Sequence, residues 1–401
     1  MDMMDVICRL ISIPTISRDS NLALIEYVRD LLRQRGWEPV LQYQADGVKA
    51  NLVLTLGPAD VPGVMFAGHT DVVPVENQQW NSNPFAAEIR DGRLYGRGSC
   101  DMKGFIGVVL AHLLKLDPAS LLRPVHLVLT YDEEVGCGGA KALMADVSSL
   151  IPVPPMYCVV GEPTSMEVLD SHKGMRIFKT IVNGTPGHSS IQRGTASAVT
   201  VAARLVAGLA DLGEEMATRV ARHGDAFQYP YTTVNVGTLN GGEAVNIVAP
   251  RAEFLWEYRY LPGDDKDEIL TRFQRHAEQL LSAFNDDGVE KIKIHTDEIS
   301  AIPALRTMRD GEVVLKEVIA SRCRGFGADY CAEAGLYQQG LHCPVVLCGP
   351  GSIVQAHKQD EYVELSQLAL CDTFVGQVLQ TCLLAAHDCS NSAHLPVAQP
   401  A

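Results

Sequence analysis

Two histidines and a group of carboxylates stand where short apolar runs end, and these residue types suit the binding of a divalent cation. His69 and Asp71, in Gly68-His69-Thr70-Asp71, follow the apolar run Val64 to Ala67. They are two apart, so on an extended chain both side chains leave one face, close enough for the Asp71 carboxylate to hold the second ring nitrogen of His69. A metal-bound histidine usually has such a partner. Asp101, in Arg97-Gly98-Ser99-Cys100-Asp101-Met102-Lys103, sits where an apolar helix opens, so its carboxylate either caps backbone N–H groups or reaches out to a cation.

Asp132-Glu133-Glu134 follows another apolar run. Adjacent side chains on a strand point to opposite faces, so both glutamates reach one site only where strand gives way to loop; Gly136, Gly138 and Gly139 supply that break. Two such glutamates permit a division of labour in which one binds metal and its neighbour takes a proton from a water. The alternative is a solvated acidic turn. Glu162, in Gly161-Glu162-Pro163-Thr164, and His357, after Cys348-Gly349-Pro350-Gly351-Ser352, complete the set. A mixed nitrogen and oxygen set suits zinc, with cobalt or manganese in its place.

Three further residues have open readings. His188, in Gly184-Thr185-Pro186-Gly187-His188-Ser189-Ser190, is either a plain loop histidine or a mobile donor to a developing oxyanion. Arg259, before Leu261-Pro262-Gly263, either forms a surface ion pair or forks onto a substrate carboxylate, and Asn246 shares that ambiguity. His112 and His126 read as structural. Gly349-Pro350-Gly351-Ser352 lacks the glycine spacing of a dinucleotide loop, and no G-x-S-x-G elbow is present, which argues against a serine hydrolase.

The elements that position these residues alternate. A helix spans 21–36, apolar runs follow at Ala50 to Leu56 and Val64 to Ala67, then a helix from about Met102 to Leu116, a strand at Val125 to Tyr131, a small helix at Ala140 to Leu150 and a strand at Tyr157 to Val160. This is the pattern of a doubly wound, mostly parallel α/β sheet, whose ligands gather at the carboxyl ends of the strands. From Gly174 to Ile299 the order becomes β-α-β-β-α-β, a ferredoxin-like α+β unit inserted into the first domain. The α/β pattern then resumes with helices near Val313 to Ala320 and Leu365 to Leu384 around a strand at Pro344 to Cys348. The expected divisions are 1–173 and 300–387 for the catalytic domain, 174–299 for the insertion, and 388–401 for a flexible tail.

The chain has 401 residues, 33 Lys and Arg against 48 Asp and Glu, and a net charge of -15, which disfavours nucleic acid and anionic membrane as partners. Eleven cysteines without a C-x-x-C pair read as reduced thiols. The acidic start Met1-Asp2-Met3-Met4-Asp5 is unlike a signal peptide, and no apolar run reaches the ~20 residues that span a bilayer, so a cytoplasmic protein is expected.

Four segments together resemble the zinc-dependent aminoacylase, desuccinylase and carboxypeptidase family: Gly68-His69-Thr70-Asp71-Val72-Val73-Pro74, Tyr95-Gly96-Arg97-Gly98-Ser99-Cys100-Asp101-Met102-Lys103-Gly104, Asp132-Glu133-Glu134-Val135-Gly136 and Gly161-Glu162-Pro163-Thr164. Within the family, Ser171-His172-Lys173-Gly174 and Cys348 to Tyr362 are most similar to the deacetylase branch that acts on N2-acetyl-L-ornithine in arginine biosynthesis. The resemblance implies two zinc ions per subunit, with cobalt possible. Asp101 would bridge them, His69 and Glu162 would complete one ion, and Glu134 and His357 the other. Asp71 would orient His69, and Glu133 would be the general base for the water between the metals.

The inserted domain corresponds to the family's lid and dimerisation domain, so the resemblance implies a homodimer in which His188 serves the partner's site while Asn246 and Arg259 hold the substrate carboxylate. Glu333, in Cys331-Ala332-Glu333-Ala334-Gly335-Leu336, is placed on the substrate side by the same resemblance. Gly187 and Gly138 stand where the family commonly carries other residues, and they bear on acyl or side-chain preference. The reading is therefore a metal-dependent hydrolase of a small N-acylated amino acid. Related acylamino-acid hydrolases and dipeptidases are the alternatives within the chemistry, and a non-catalytic homologue is the alternative outside it; the latter would lack a ligand or the base.

Overall fold

A computed structural model describes residues 2–191, 193–219, 226–285, 288–306 and 327–383. The expected helix near Val313 to Ala320 and the tail 388–401 lie outside the described residues. Two compact units emerge, the first of residues 2–170 with 332–383, the second of 171–306 with 327–331.

The first unit is built on a six-stranded sheet in the order Val40–Tyr43, Ala50–Leu56, Val125–Thr130, Val64–His69, Tyr157–Pro163, Val345–Gly349. The first two junctions are antiparallel and the remaining three parallel. Val64–His69, Val125–Thr130, Tyr157–Pro163 and Val345–Gly349 are buried at every position, which is why they read as continuous apolar runs without alternation. The helices Met3–Ile11, Leu22–Arg33, Lys103–Leu113 and Leu365–Leu383 pack into the same core, through Ile7, Leu24, Val109 and Phe374 among others. His69 ends one parallel strand and Glu162 lies near the end of the next, so the sheet itself delivers both to one edge.

The helix Met3–Ile11 goes beyond the elements the sequence pattern predicts. Asp2 caps it, accepting the N–H of Met3, and Val6, Ile7, Leu10 and Ile11 form the buried stripe. The Ala140 to Leu150 segment also divides, into Gly138–Ala145 and Val147–Leu150.

The second unit is a four-stranded antiparallel sheet in the order Thr233–Gly241, Arg251–Tyr260, Gly174–Asn183, Lys293–Ile302, with helices Ala198–Thr218 and Glu268–Phe284. Along Arg251–Tyr260 the even-numbered positions are buried, and Trp256 stacks on Phe178 at 4.5 Å between ring centres and meets Phe273 at 4.6 Å. Glu257 and Arg259 occupy the opposite face. The unit runs from Ser171 to Arg306, wider than 174–299, because Ser171–His172 pairs with Leu305–Arg306 and with Gly327–Ala328. No described helix is long and apolar enough to cross a membrane.

Candidate metal centre

At the carboxyl edge of the large sheet, His69 Nε2 lies 2.9 Å from Asp101 Oδ1 and 4.0 Å from Glu162 Oε1. One ligand atom from each of these buried residues falls within 4.8 Å of the others. The second ring nitrogen, Nδ1, is 2.9 Å from the main-chain oxygen of Asp71 but 3.7 Å from its carboxylate. The expected carboxylate contact is therefore replaced by a backbone one. The strand ends at His69, so the alternation that would carry the Asp71 side chain beside the ring does not persist. Hydrogen bonding of Nδ1–H to the carbonyl leaves Nε2 facing the acids.

The Asp71 carboxylate instead accepts the hydroxyl of Ser17 at 2.7 Å and the backbone N–H groups of Glu133 and Glu134 at 3.0 and 3.3 Å. It thus fixes the turn that carries both glutamates. That turn needs unusual backbone: Asp132 and Cys137 have φ of 57° and 58°, and Gly136 has 116°, a value suited to glycine. Lys49, itself buried, pairs with Asp132 and donates to the carbonyl of Ser17, closing the network.

Asp101 also belongs to a second group. His357 Nε2 is 3.4 Å from Asp101 Oδ2 and 3.0 Å from Glu134 Oε2, and these three residues again offer ligand atoms within 4.8 Å of one another. The helix behind Asp101 is Lys103–Leu113, with Met102 at its cap position, so Asp101 faces the histidines. Its turn is held by Glu361, whose Oε1 accepts the N–H groups of Cys100 and Asp101 at 2.9 and 3.1 Å.

Electrostatics mark the cluster as a cation site. Burial, reinforced by neighbouring carboxylates, pushes Glu133 and Glu162 well above the ordinary range; Glu162 adds most to the shift of Glu133, and Asp101 to that of Glu162. Glu134 is raised by burial and by Asp101. Burial would lower His69, yet its contact with Asp101 holds it well above the usual value, and Asp101 with Glu134 lift His357 to about 10. These shifts all favour the protonated forms, and a divalent cation would compete with protons at His69, Glu134, Glu162 and His357. Glu162 Oε1 is buried and has no hydrogen-bond partner among the described residues, as befits an atom reserved for a metal. The donor set, two imidazoles and three carboxylates, fits zinc or a similar ion.

Glu133 belongs to neither ligand group, though its carboxyl is close enough to Glu162 and His69 to feel their charges. Glu333, in the same unit, is buried; its Oε2 accepts the hydroxyls of Thr130 at 2.9 Å and Tyr337 at 2.8 Å, while Oε1 has no hydrogen-bond partner among the described residues. Burial raises its carboxyl to about 7. The other three sequence candidates lie in the second unit. His188 is exposed in a short ladder with Ile247, where its Nδ1 meets the Ser190 hydroxyl at 2.7 Å. Asn246 is exposed beside it, its carbonyl accepting the N–H of Ser189 at 3.1 Å. Arg259 is half-buried, 3.4 Å from Glu257.

Sequence reasoning gave no role to Ser17, Lys49, Gln78 or Arg97, and none to Glu361 despite its place just after His357. Only Arg97 and Glu361 carried a signal, as charged residues inside motifs otherwise rich in glycine and metal-type side chains.

The model of peptidase family M20/M25/M40 matches residues 65–381. The chain is 30% identical over 392 residues to an acetylornithine deacetylase of Proteus mirabilis, covering 94% of this chain and 96% of that protein. It is 31% identical over 361 residues to an acetylornithine deacetylase of Pasteurella multocida, covering 88% and 91%. Its fold resembles the crystal structure of an M20 family metallo-carboxypeptidase from Sulfolobus solfataricus, with a TM-score of 0.72 at 17% identity over 96% of this chain and all of that one.

Proposed function

Because the chain belongs to peptidase family M20/M25/M40 and is a metal-dependent amidohydrolase of that family, we propose that it cleaves the amide of N2-acetyl-L-ornithine, releasing L-ornithine and acetate. The observation that carries this reading is the pair of ligand groups sharing Asp101, with Glu133 beside them and outside both. His69, Asp101 and Glu162 would hold one zinc ion, and Asp101, Glu134 and His357 a second, with cobalt as a substitute.

When bound, such ions polarise a carbonyl and acidify water. The chain's own residues do the rest. Glu133 takes the proton of the attacking water and returns it to the departing amine, a cycle suited to a carboxyl whose affinity for protons is raised by burial and by Glu162. Asp71 keeps Glu133 in place through its backbone N–H. His188 donates to the oxyanion of the partner copy in a homodimer, and Asn246 and Arg259 bind the substrate carboxylate; family resemblance supports these three roles. The unpartnered Oε1 of Glu333 supports its place on the substrate side.

The test is ornithine release from N2-acetyl-L-ornithine by protein stripped with chelator and restored with zinc or cobalt, beside a panel of other acylated amino acids and dipeptides. Metal-dependent turnover with preference for the ornithine derivative is expected. Preference for another substrate in the panel would replace the substrate and keep the chemistry.

A further inference from the structure

The two ligand groups are not held alike. His69 and Glu162 lie on fully buried parallel strands. His357 lies on a loop, in the left-handed region with φ of 61°, and its side chain is 49% exposed. Glu134 Oε2 and Asp101 Oδ2 lie within 3.4 Å of its ring, but what fixes its backbone is a separate stretch of chain.

That stretch is 78–81. The Gln78 side-chain amide donates to the carbonyl of His357 at 3.0 Å. Gln79 N–H donates to Gln359 at 3.3 Å, and Asn81 N–H to Asp360 at 2.8 Å. The orientation of the Gln78 amide follows from its neighbours: Arg97 Nη2 at 2.6 Å and Trp80 Nε1 at 3.1 Å are both donors, so Oε1 faces them and Nε2 faces His357. Arg97 is 1% exposed, pairs with Glu361 Oε2 at 2.6 Å and donates to the carbonyl of Lys358. Glu361 in turn holds the turn of Asp101. One buried pair, extended by Gln78, therefore spans the backbones of two of the three ligands in the second group.

We propose that Gln78, oriented by the buried Arg97, is a positioning residue for His357 and thereby sets the affinity of the second cation position while leaving the first untouched. This rests on the two-ion reading of the site given above. Gln78 is only half-buried, so its replacement leaves the core intact. Gln78→Glu is the informative variant: it still accepts from Arg97 and Trp80 but turns a second oxygen toward the His357 carbonyl. Gln78→Leu removes both functions.

Zinc titration by calorimetry, with metal content after dialysis and melting temperature of the stripped protein, tests the proposal on wild type, Gln78→Glu, Gln78→Leu, His357→Ala and the double variant Gln78→Glu/His357→Ala. Two sites are expected in wild type. In both Gln78 variants one site should weaken by about 10- to 100-fold while the other stays within about twofold. The melting temperature of the stripped Gln78→Glu protein should match wild type, and the double variant should bind as His357→Ala does. Unchanged affinities at both sites in both Gln78 variants overturn the proposal. So does equal weakening of both sites with a lowered melting temperature. A wild type that binds no ion overturns the metal reading itself, and this inference with it.

Discussion

The carboxylate of Asp71 accepts the backbone N–H of Glu133 at 3.0 Å, so the residue named by its spacing from His69 acts on the glutamate turn at a distance of 62 residues along the chain. Its main-chain oxygen, 2.9 Å from Nδ1, serves the histidine. Asp71→Asn keeps the shape and the carbonyl but replaces one acceptor oxygen by a donor that faces N–H groups or the Ser17 hydroxyl. We expect turnover to fall by about 10- to 100-fold with bound metal retained. Wild-type turnover in this variant, measured at saturating zinc, would remove Asp71 from the positioning of Glu133.

Each ligand group should be separable by stoichiometry. Glu162→Gln removes a carboxylate from the first group only and Glu134→Gln from the second only, so each variant should retain one ion of two after dialysis; Asp101→Asn, shared by both, should retain neither tightly. Metal analysis and calorimetry read this directly. Two ions in the Asp101 variant would show that the shared carboxylate is not a ligand.

The pH dependence has a defined sign. Glu133, Glu134 and Glu162 are raised, as are His69 and His357, the last to about 10. All five hold protons more tightly in the fold than in the unfolded chain. Their contribution to stability is present below the unfolded values, about 4.3 for glutamate and about 6.5 for histidine, and is lost as pH rises through the folded values. Asp101, lowered by the two histidines against the effect of burial, acts in the opposite sense but only in strong acid. Stripped protein should therefore lose melting temperature from His357 between about pH 6.5 and pH 10, while zinc, which displaces the protons of the ligands among these groups, should raise it by more at pH 8 than at pH 6. Scanning fluorimetry with and without zinc measures both. A zinc-induced shift larger at pH 6 would contradict the assignment of His69, Glu134, Glu162 and His357 as ligands.

Packing at the strand that carries Glu162 gives a prediction independent of metal. A Cβ at Gly161 would lie 2.0 Å from Cδ1 of the buried Phe105. Gly161→Ala should cost about 1–3 kcal/mol in urea unfolding of the stripped protein, through overpacking, and Phe105→Leu in the same chain should recover part of it. No loss in Gly161→Ala would show that Phe105 moves aside freely.

The inner strands of the large sheet were legible because they are buried on both faces and read as unbroken apolar runs, whereas the edge strand Val40–Tyr43, exposed at both ends, was not; the inserted unit was legible because Arg251–Tyr260 and Glu268–Phe284 alternate with the periods of strand and helix. The ligand candidates were legible because His69, Glu134, Glu162 and His357 follow such runs and Asp101 stands where an apolar helix opens. The supporting residues were not. Ser17 reaches Asp71 across 54 residues, Lys49 reaches Asp132 across 83, and Gln78 reaches His357 across 279, and no local pattern signals a contact made by one polar side chain to a distant backbone or acid. The spacing of Asp71 from His69 presumes a strand that runs through both, and this one stops two residues short, at His69.

In the proposed reaction Glu133 moves the proton while other residues hold the metal. The most direct measurement is ornithine release from N2-acetyl-L-ornithine by zinc-restored wild type and Glu133→Gln, with zinc content determined on the same samples. The account predicts equal zinc in both proteins and turnover lower by about 10²- to 10⁴-fold in the variant. Turnover at the wild-type rate in Glu133→Gln with zinc bound would contradict it.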